Sequence, residues 1–417
     1  MADQANPLFF FVLQAIVCLI AKYCSSEKAG VKSPSRFVLL SIPCQTPRVP
    51  RKHRSALPPP PTAPQPFSLP SPSLKTLADH LGLSTAAISR VLNAAPAAQS
   101  IPKSTQDRIF AAAERFNYRP NLSARSLRNR RTQTVGVLVP EVSEGYATLV
   151  LSGIEQHLLE AGYLHFLVSH HHQAAMIARA QDLLLDRSVE GIIAIDTLLP
   201  HRCTVPSVTV SGHKEPPGTT NIALHHRRAA ELALHHLHAL GHRDIAIIKG
   251  QSFSSDTETR WRAIRHVARD LGLELKPALV TQLEGDHPTH EPGYRATQRL
   301  LSAPERFTAI FAFNDVSAIG AIRAVREAGR RVPQDVSVIG FDDVQSAAFQ
   351  NPALTTIRQP LHNMGILSAR SLLRQIAGET VPRQIVVDPD LIVRDSTAPP
   401  ALGNGRVARR KSPAGSR

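Results

Sequence analysis

From Ser73 onward the apolar positions fall into short helical periods. Leu74, Leu77, Ala78 and Leu81 recur at three- to four-residue spacing behind Ser73, which is placed to cap the first turn. Gly82 interrupts the pattern, and Ser84 opens a second helix whose apolar face is Ala87, Ile88, Val91 and Leu92. A proline-containing loop from Asn93 to Pro102 leads to Ser104, expected to cap a third helix on which Ile109, Ala112, Ala113 and Phe116 share one face. Three short helices, the first two joined by a tight glycine turn, predict an all-α helix-turn-helix headpiece over 73–118.

The period changes after residue 131. Thr134–Val139, Leu164–Ser169, Gly191–Ile195 and Ser207–Val210 are short apolar runs of strand length, separated by helical stretches such as Leu149–Leu159 and Ala175–Leu185. A second series follows at Ile245–Ile248, Ala278–Thr281, Ala309–Phe313 and Val336–Ile339. Two successive strand–helix series predict an α/β core over 132–398, built as two doubly wound parallel-sheet subdomains with a cleft between them.

Residues 1–72 do not read as a domain. Eleven of the thirty residues from Pro43 to Pro72 are proline, a composition that favours extended, disordered chain. Leu8–Ala21 is apolar except for Gln14, yet fourteen residues fall short of a membrane span, and no basic residue precedes it as a signal peptide requires. The segment is expected to be a nonfunctional or wrongly assigned extension, with a membrane tether as the minority reading. Residues 399–417 read as a basic disordered tail without leucine heptads, which favours a dimer over a tetramer.

Charge sharpens this division. The chain of 417 residues carries a net charge of +15, but unevenly. Residues 73–131 hold +7 and residues 132–398 hold −3, so a compact basic module precedes a slightly acidic globule. A module of that size and sign suits a polyanion such as DNA. The four cysteines (Cys18, Cys24, Cys44, Cys203) form no CxxC pair, which excludes a disulfide scaffold and fits a reducing cytoplasm.

The second helix has the chemistry of a recognition helix. Thr85 and Ala86 are small and allow deep entry into the major groove, and Arg90, one turn on, has the fork that reaches guanine O6 and N7. Ser84, Ser89 and Asn93 suit phosphate contacts that fix register. After the third helix comes Asn117-Tyr-Arg-Pro-Asn-Leu-Ser-Ala-Arg-Ser-Leu-Arg128. Tyr118, Pro120, Asn121, Ala124, Arg125 and Leu127 reproduce a Tyr-x-Pro-Asn-x-x-Ala-Arg-x-Leu pattern, and with Leu74–Asn93 the chain resembles the LacI/GalR family of transcription repressors from about Ser73 to Arg394. The resemblance implies that 119–131 is a hinge helix entering the minor groove, with Asn121, Ala124, Arg125 and Leu127 against DNA and Leu127 wedged into a central CG step of a pseudo-palindromic operator. It also implies a homodimer, since paired hinges need a two-fold axis. The Asn93–Pro102 loop is about two residues longer than is usual in the family.

In the globule the resemblance is to a periplasmic-binding-protein type core. It places Arg260, in Thr259-Arg-Trp-Arg-Ala263, at the position of a ligand-clamping arginine, Asn314 in an Asn-Asp turn, and Asp342 in the Gly-Phe-Asp-Asp turn at 340–343. Leu354–Gln359 matches a return strand to the first subdomain. Arg260 and Asp342 suit vicinal hydroxyls, with Asn314 and Gln359 orienting the rest, and Arg260 suits a ligand carboxylate equally. His287 falls where relatives place an aromatic that stacks on a sugar. Ser211 replaces the aspartate of a galactoside-responsive member, and Tyr146 is a further candidate on the first strand's exit loop. The expected effector is a small sugar or sugar acid.

The histidine runs His170–His172, His225-His226 and His235-His236-x-His238 are expected to be solvated surface rather than metal ligands, because adjacent helical residues point apart. No P-loop, GxGxxG motif or Ser/His/Asp array stands where catalysis would need it, so no enzyme, cofactor or metal is expected. The competing class is an exported solute-binding protein, which has no use for Ser73–Arg128. A weaker third reading is a regulator controlled mainly by a protein co-repressor.

Overall fold

The computed structural model describes residues 72–93, 95–118, 131–143, 145–199, 203–211, 218–285 and 289–401. Helices α1 (Leu74–Leu81), α2 (Thr85–Leu92) and α3 (Lys103–Arg115) pack around Leu77, Ile88, Val91 and Ile109. Local chemistry sets their ends. Ser73 Oγ accepts from the Thr76 amide at 3.1 Å while Thr76 Oγ1 accepts from the Ser73 amide at 3.2 Å, a reciprocal capping box. Gly82 closes α1 at φ 66°, a left-handed conformation that glycine adopts without penalty.

Ser104 does not cap α3. Pro102 occupies that position, and Ser104 lies within the first turn, because the fixed φ of proline already sets the entry to the helix. The long loop is organised rather than loose. Pro96–Ser100 forms a 3₁₀ turn that buries Ala98, and Gln106 Nε2 donates to the carbonyls of Ala98 (3.1 Å) and Ile101 (2.9 Å).

The first half of the core alternates β1 (Thr134–Val139), α4 (Tyr146–Glu160), β2 (Leu164–Ser169), α5 (Ala174–Asp186), β3 (Ile192–Ile195), β4 (Ser207–Val210) and β5 (Thr220–Leu224). The second half contains α6 (His226–Ala239), β6 (Ile245–Lys249), α7 (Ser255–Asp270), β7 (Val280–Gln282), α8 (Glu291–Ser302), β8 (Ala309–Phe311), α9 (Asp315–Glu327), β9 (Ser337–Asp342), α10 (Gln345–Phe349) and β10 (Thr355–Arg358). The chain ends with α11 (Leu361–Ile376), β11 (Gln384–Val387) and β12 (Asp390–Ile392).

Among the described residues these strands form two six-stranded sheets, ordered β11-β5-β4-β3-β1-β2 and β12-β10-β9-β8-β6-β7. Every pairing is parallel except β10–β12. Each half reverses its strand order next to its first strand, between β1 and β3 and again between β6 and β8, and such switch points open crevices at the carboxyl ends of strands.

The return strand is reassigned. Thr355–Arg358 pairs with β9 in the second sheet, and the chain crosses to the first half only afterwards, through α11 and β11, before β12 crosses back. Three connections therefore join the halves, at 224–226, 358–361 and 387–390. Helices α4 and α11 cover one face of the first sheet around Val137, Ile154, Ile193, Met364 and Leu372, and α5 covers the other with Leu184. Helices α4 and α11 touch backbone to backbone: a Cβ on Gly153 would lie 1.9 Å from the His362 carbonyl, and one on Gly365 would lie 2.0 Å from that of Val150. In the second half α8 and α9 pack on one face of the sheet and α6 and α7 on the other. Burial on both faces explains the uninterrupted apolar strands.

Candidate functional site

Two surfaces carry candidate chemistry. On the headpiece, Ile88 and Val91 anchor α2 inward, which turns Ser84, Thr85, Ala86 and Arg90 outward. Ser84 also caps the helix, its Oγ accepting from the Ala87 amide at 3.2 Å. Asn93 is the C-terminal cap and donates from Nδ2 to the Ser89 carbonyl (2.7 Å) and Ser89 Oγ (3.2 Å). The exposed amino-terminal edge thus consists of a hydroxyl, a methyl and, a turn later, a guanidinium. Of the remaining predicted DNA contacts, Asn121, Ala124, Arg125 and Leu127 lie outside the described residues, as does the effector candidate His287.

The second surface is the cleft between the two sheets. Its cavity volume is about 120 Å³. The carboxyl ends of the central strands deliver its residues: Pro140 after β1, Asp196 after β3, Gln251 after β6, Phe313 and Asn314 after β8, and Asp342 at the end of β9. Several of these junctions hold non-glycine residues at positive φ, namely Asp196 (41°), Ser211 (59°), Asp342 (110°) and Asp343 (59°). Backbone strain of this kind gathers where side chains are aimed at a ligand.

Arg260, in the second turn of α7, is 4% exposed and braces the floor. Its guanidinium stacks on Phe341 (3.6 Å to the ring centroid) and Phe313 (4.4 Å), Nη2 lies 3.2 Å from Asp256 Oδ2, and Nη1 donates to the Phe313 carbonyl. Asp256 in turn has its other oxygen 3.3 Å from His226 Nε2. Asp342 accepts from Gln359 Nε2 at 2.6 Å, and burial pushes its carboxyl up to about 7 despite the opposing pull of Arg260. Asp196 accepts from the amide (3.1 Å) and hydroxyl (2.9 Å) of Ser255, and burial next to Asp256 raises it to about 6.

Asn314 lines the cleft and caps α9, its Oδ1 accepting from the Ser317 amide at 2.9 Å. Asp315 behind it is fully buried and ties α9 to the second sheet, accepting from Thr356 Oγ1 (2.6 Å) and the Val344 amide (2.9 Å). Tyr146 is the first residue of α4 rather than part of a loop; it lines the cleft and donates its hydroxyl to Ser211 Oγ at 2.6 Å. Ser211 and Gln359 stand behind this wall, supporting Tyr146 and Asp342, and do not line the cleft themselves.

His171, His225 and His235 are exposed, but three members of the histidine runs are not solvated surface. His170 is 1% exposed, its Nε2 2.7 Å from Thr197 Oγ1, and burial lowers its pKa to about 4. His172 reaches the cleft mouth, stacked on Phe253 at 3.7 Å and 3.2 Å from Glu141. His226 is buried against Asp256. His170 and His172 face inward because the turn at 170–172 doubles back, with His171 and His172 both at positive φ.

Sequence reasoning missed Asp196, Asp256, Phe253 and Phe313. Asp196 follows directly on the Ile192–Ile195 strand, and its place beside the switch point was the available signal. Among the described residues, no group of three or more His, Cys, Asp or Glu is arranged to hold a metal, and no helix is long and apolar enough to cross a membrane.

Comparison with known proteins agrees with this layout. Residues 234–397 match the periplasmic binding protein-like domain. The HTH-type transcriptional repressor PurR of Haemophilus influenzae is 31% identical over 337 residues, which is 78% of this chain and 98% of that protein. Among solved structures, the lac repressor dimer bound to operator and an anti-inducer superimposes with a TM-score of 0.71 at 26% identity, covering 78% of this chain and 99% of that one. The CelR–cellobiose complex gives 0.58 at 28% identity over the same shares.

Proposed function

The chain belongs to the LacI family of helix-turn-helix transcriptional repressors, and from that premise we propose how its two surfaces work together. It is a DNA-binding transcriptional regulator with an effector-binding core, not a transport protein: its relatives are repressors matched over nearly their whole length. They are not enzymes, and we read this chain as none.

In our reading α2 enters the major groove with Thr85, Ala86 and Arg90 at base edges, while Ser84, Ser89 and Asn93 hold phosphates. The hinge residues Asn121, Ala124, Arg125 and Leu127 occupy the minor groove, and Leu127 opens a central CG step of a pseudo-palindromic operator. The working unit is a homodimer in the compartment that holds the DNA, the cytoplasm. Edge strand β2 supports a second copy: Leu164, Phe166 and Leu167 are 61%, 42% and 37% exposed, an apolar edge that an isolated chain leaves uncovered.

The effector is a sugar-sized molecule held between the halves by Asp342, Asn314, Tyr146 and Arg260, with His287 adjoining in sequence, and with Ser211 and Gln359 bracing the first group. Binding alters the angle between the halves and so shifts the population competent for DNA, with the unliganded form binding the operator. The observation that carries this reading is the capped helix α2, which presents small side chains and one guanidinium outward on a chain whose two-sheet core encloses a polar cleft. The test is a binding selection with the purified full chain on random duplexes, repeated with Arg90→Ala and Leu127→Ala. Enrichment of a palindrome that both substitutions abolish supports it. An asymmetric site, or none, refutes it.

A further inference from the structure

The charge around the cleft is lopsided. Glu141, Asp196, Asp256 and Asp342 line it, against the single guanidinium of Arg260. That guanidinium is partly committed: Nη2 faces Asp256, Nη1 donates to the Phe313 carbonyl and its plane stacks on Phe313 and Phe341, while Nε is buried without a hydrogen-bond partner. A ligand carboxylate would meet this one, partly engaged guanidinium and would at the same time approach three aspartates, whereas an ammonium would be drawn to them. The acids, by contrast, are held at their posts. Asp196 is fixed by Ser255 and Asp342 by Gln359, each at the end of a strand with a strained backbone. The exposed aromatic Phe253 and the ring of Phe313 complete a wall that suits the apolar face of a sugar ring or a cation.

We propose that the effector is a polyhydroxylated amine, an amino sugar in chemical class, with its ammonium between Asp196 and Asp342 and its hydroxyls toward Asn314 and Tyr146. Sugar acids are excluded from the cleft by the same carboxylates. This rests on the reading of the cleft as the effector site, and it narrows the sugar-or-sugar-acid expectation to one charge class.

The experiment uses matched triplets on the full-length protein: glucosamine, glucose and gluconate, then galactosamine, galactose and galacturonate. Each is measured by thermal shift and by its effect on operator affinity at pH 7.5. The expected order is amine, then neutral sugar, then acid, with at least ~10-fold between amine and acid. In Asp342→Asn and Asp196→Asn the advantage of the amine over its neutral counterpart falls to about onefold, while the neutral sugar still binds. Circular dichroism confirms that both variants are folded. An amine preference that survives both substitutions overturns the assignment, because the amine then binds elsewhere. A neutral sugar or an acid binding best, with binding lost in Asn314→Ala, also overturns it yet leaves the cleft as the effector site. If no member of either triplet stabilises the protein or alters operator binding, the amine assignment and the carbohydrate reading fall together.

Discussion

Replacing Asp342 by asparagine isolates the cost of keeping a carboxylate inside the cleft. The carboxyl is 5% exposed and its pKa is raised from 3.8 to about 7 by burial. Below pH 4 it is protonated in both folded and unfolded chains and changes nothing. As the pH rises the unfolded chain ionises first, so the stability associated with this group is lost through the window from about 4 to 7. A difference of roughly three units at 1.36 kcal/mol each gives a loss of about 4 kcal/mol, complete above pH 7. Asparagine is nearly isosteric, tolerates the φ of 110° at this position, and still offers Gln359 Nε2 an acceptor. Asp342→Asn should therefore melt at the same temperature as the wild type near pH 4 and about 8 °C higher at pH 8, using about 2 °C per kcal/mol for a protein of this size. Differential scanning calorimetry from pH 4 to 8, comparing the two proteins at each pH, measures the difference directly. An offset independent of pH, or a variant less stable at pH 8, refutes the argument that the native site holds a strained charge. In the same variant the effect of an amino sugar on operator binding should fall to that of its neutral counterpart, because the carboxylate that the ammonium engages is gone.

Other substitutions probe separate links in the argument. Gly153→Ala pushes a methyl into the His362 carbonyl and should cost about 1–3 kcal/mol by forcing α4 from α11, read as a lowered denaturant midpoint. Arg90→Ala, on an exposed position, should leave thermal stability unchanged and weaken specific operator binding by about 1–3 kcal/mol in fluorescence anisotropy, whereas Ile88→Ala should unfold the headpiece at a cost of about 2–5 kcal/mol. His170 is held neutral in the folded protein with a pKa lowered to about 4, so its contribution is present above pH 6.5 and disappears as the pH falls toward 4. His170→Gln should remove about 3 kcal/mol of the acid lability in that window, seen by comparing urea midpoints at pH 7 and 4.5.

Much of the fold could be read from local pattern, and the exceptions share a cause. Strands such as Thr134–Val139 and Ile245–Lys249 are continuous apolar runs because helices cover both faces of their sheets. Thr220–Leu224 escaped notice because two of its five residues are polar; Asn221 Oδ1 accepts from Thr209 Oγ1 at 3.2 Å inside the sheet, a partner that only the folded chain supplies. The partner of Thr355–Arg358 was misjudged because a four-residue strand does not encode which sheet it joins. At the cleft, Arg260, Asn314 and Asp342 sit in short distinctive motifs. Asp256 and Phe253 carry no local signature and Asp196 is marked only by its place after β3, and two strands and a helix must assemble before they meet. The inward turn of His170–His172 depends on two left-handed residues that no helical period predicts.

The three connections between the halves also constrain how the protein is made. The first sheet lacks an outer strand and a covering helix until residues 361–387 have emerged from the ribosome, and the second lacks its edge strand until residue 392. Synthesis must run nearly to completion before either half is sealed, so a nascent chain stalled near residue 225 exposes the apolar faces of α4 and the first sheet to chaperones and proteases. Neither half can be cut out as a contiguous segment and remain whole. A minimal effector-binding fragment must extend from residue 131 to beyond residue 392.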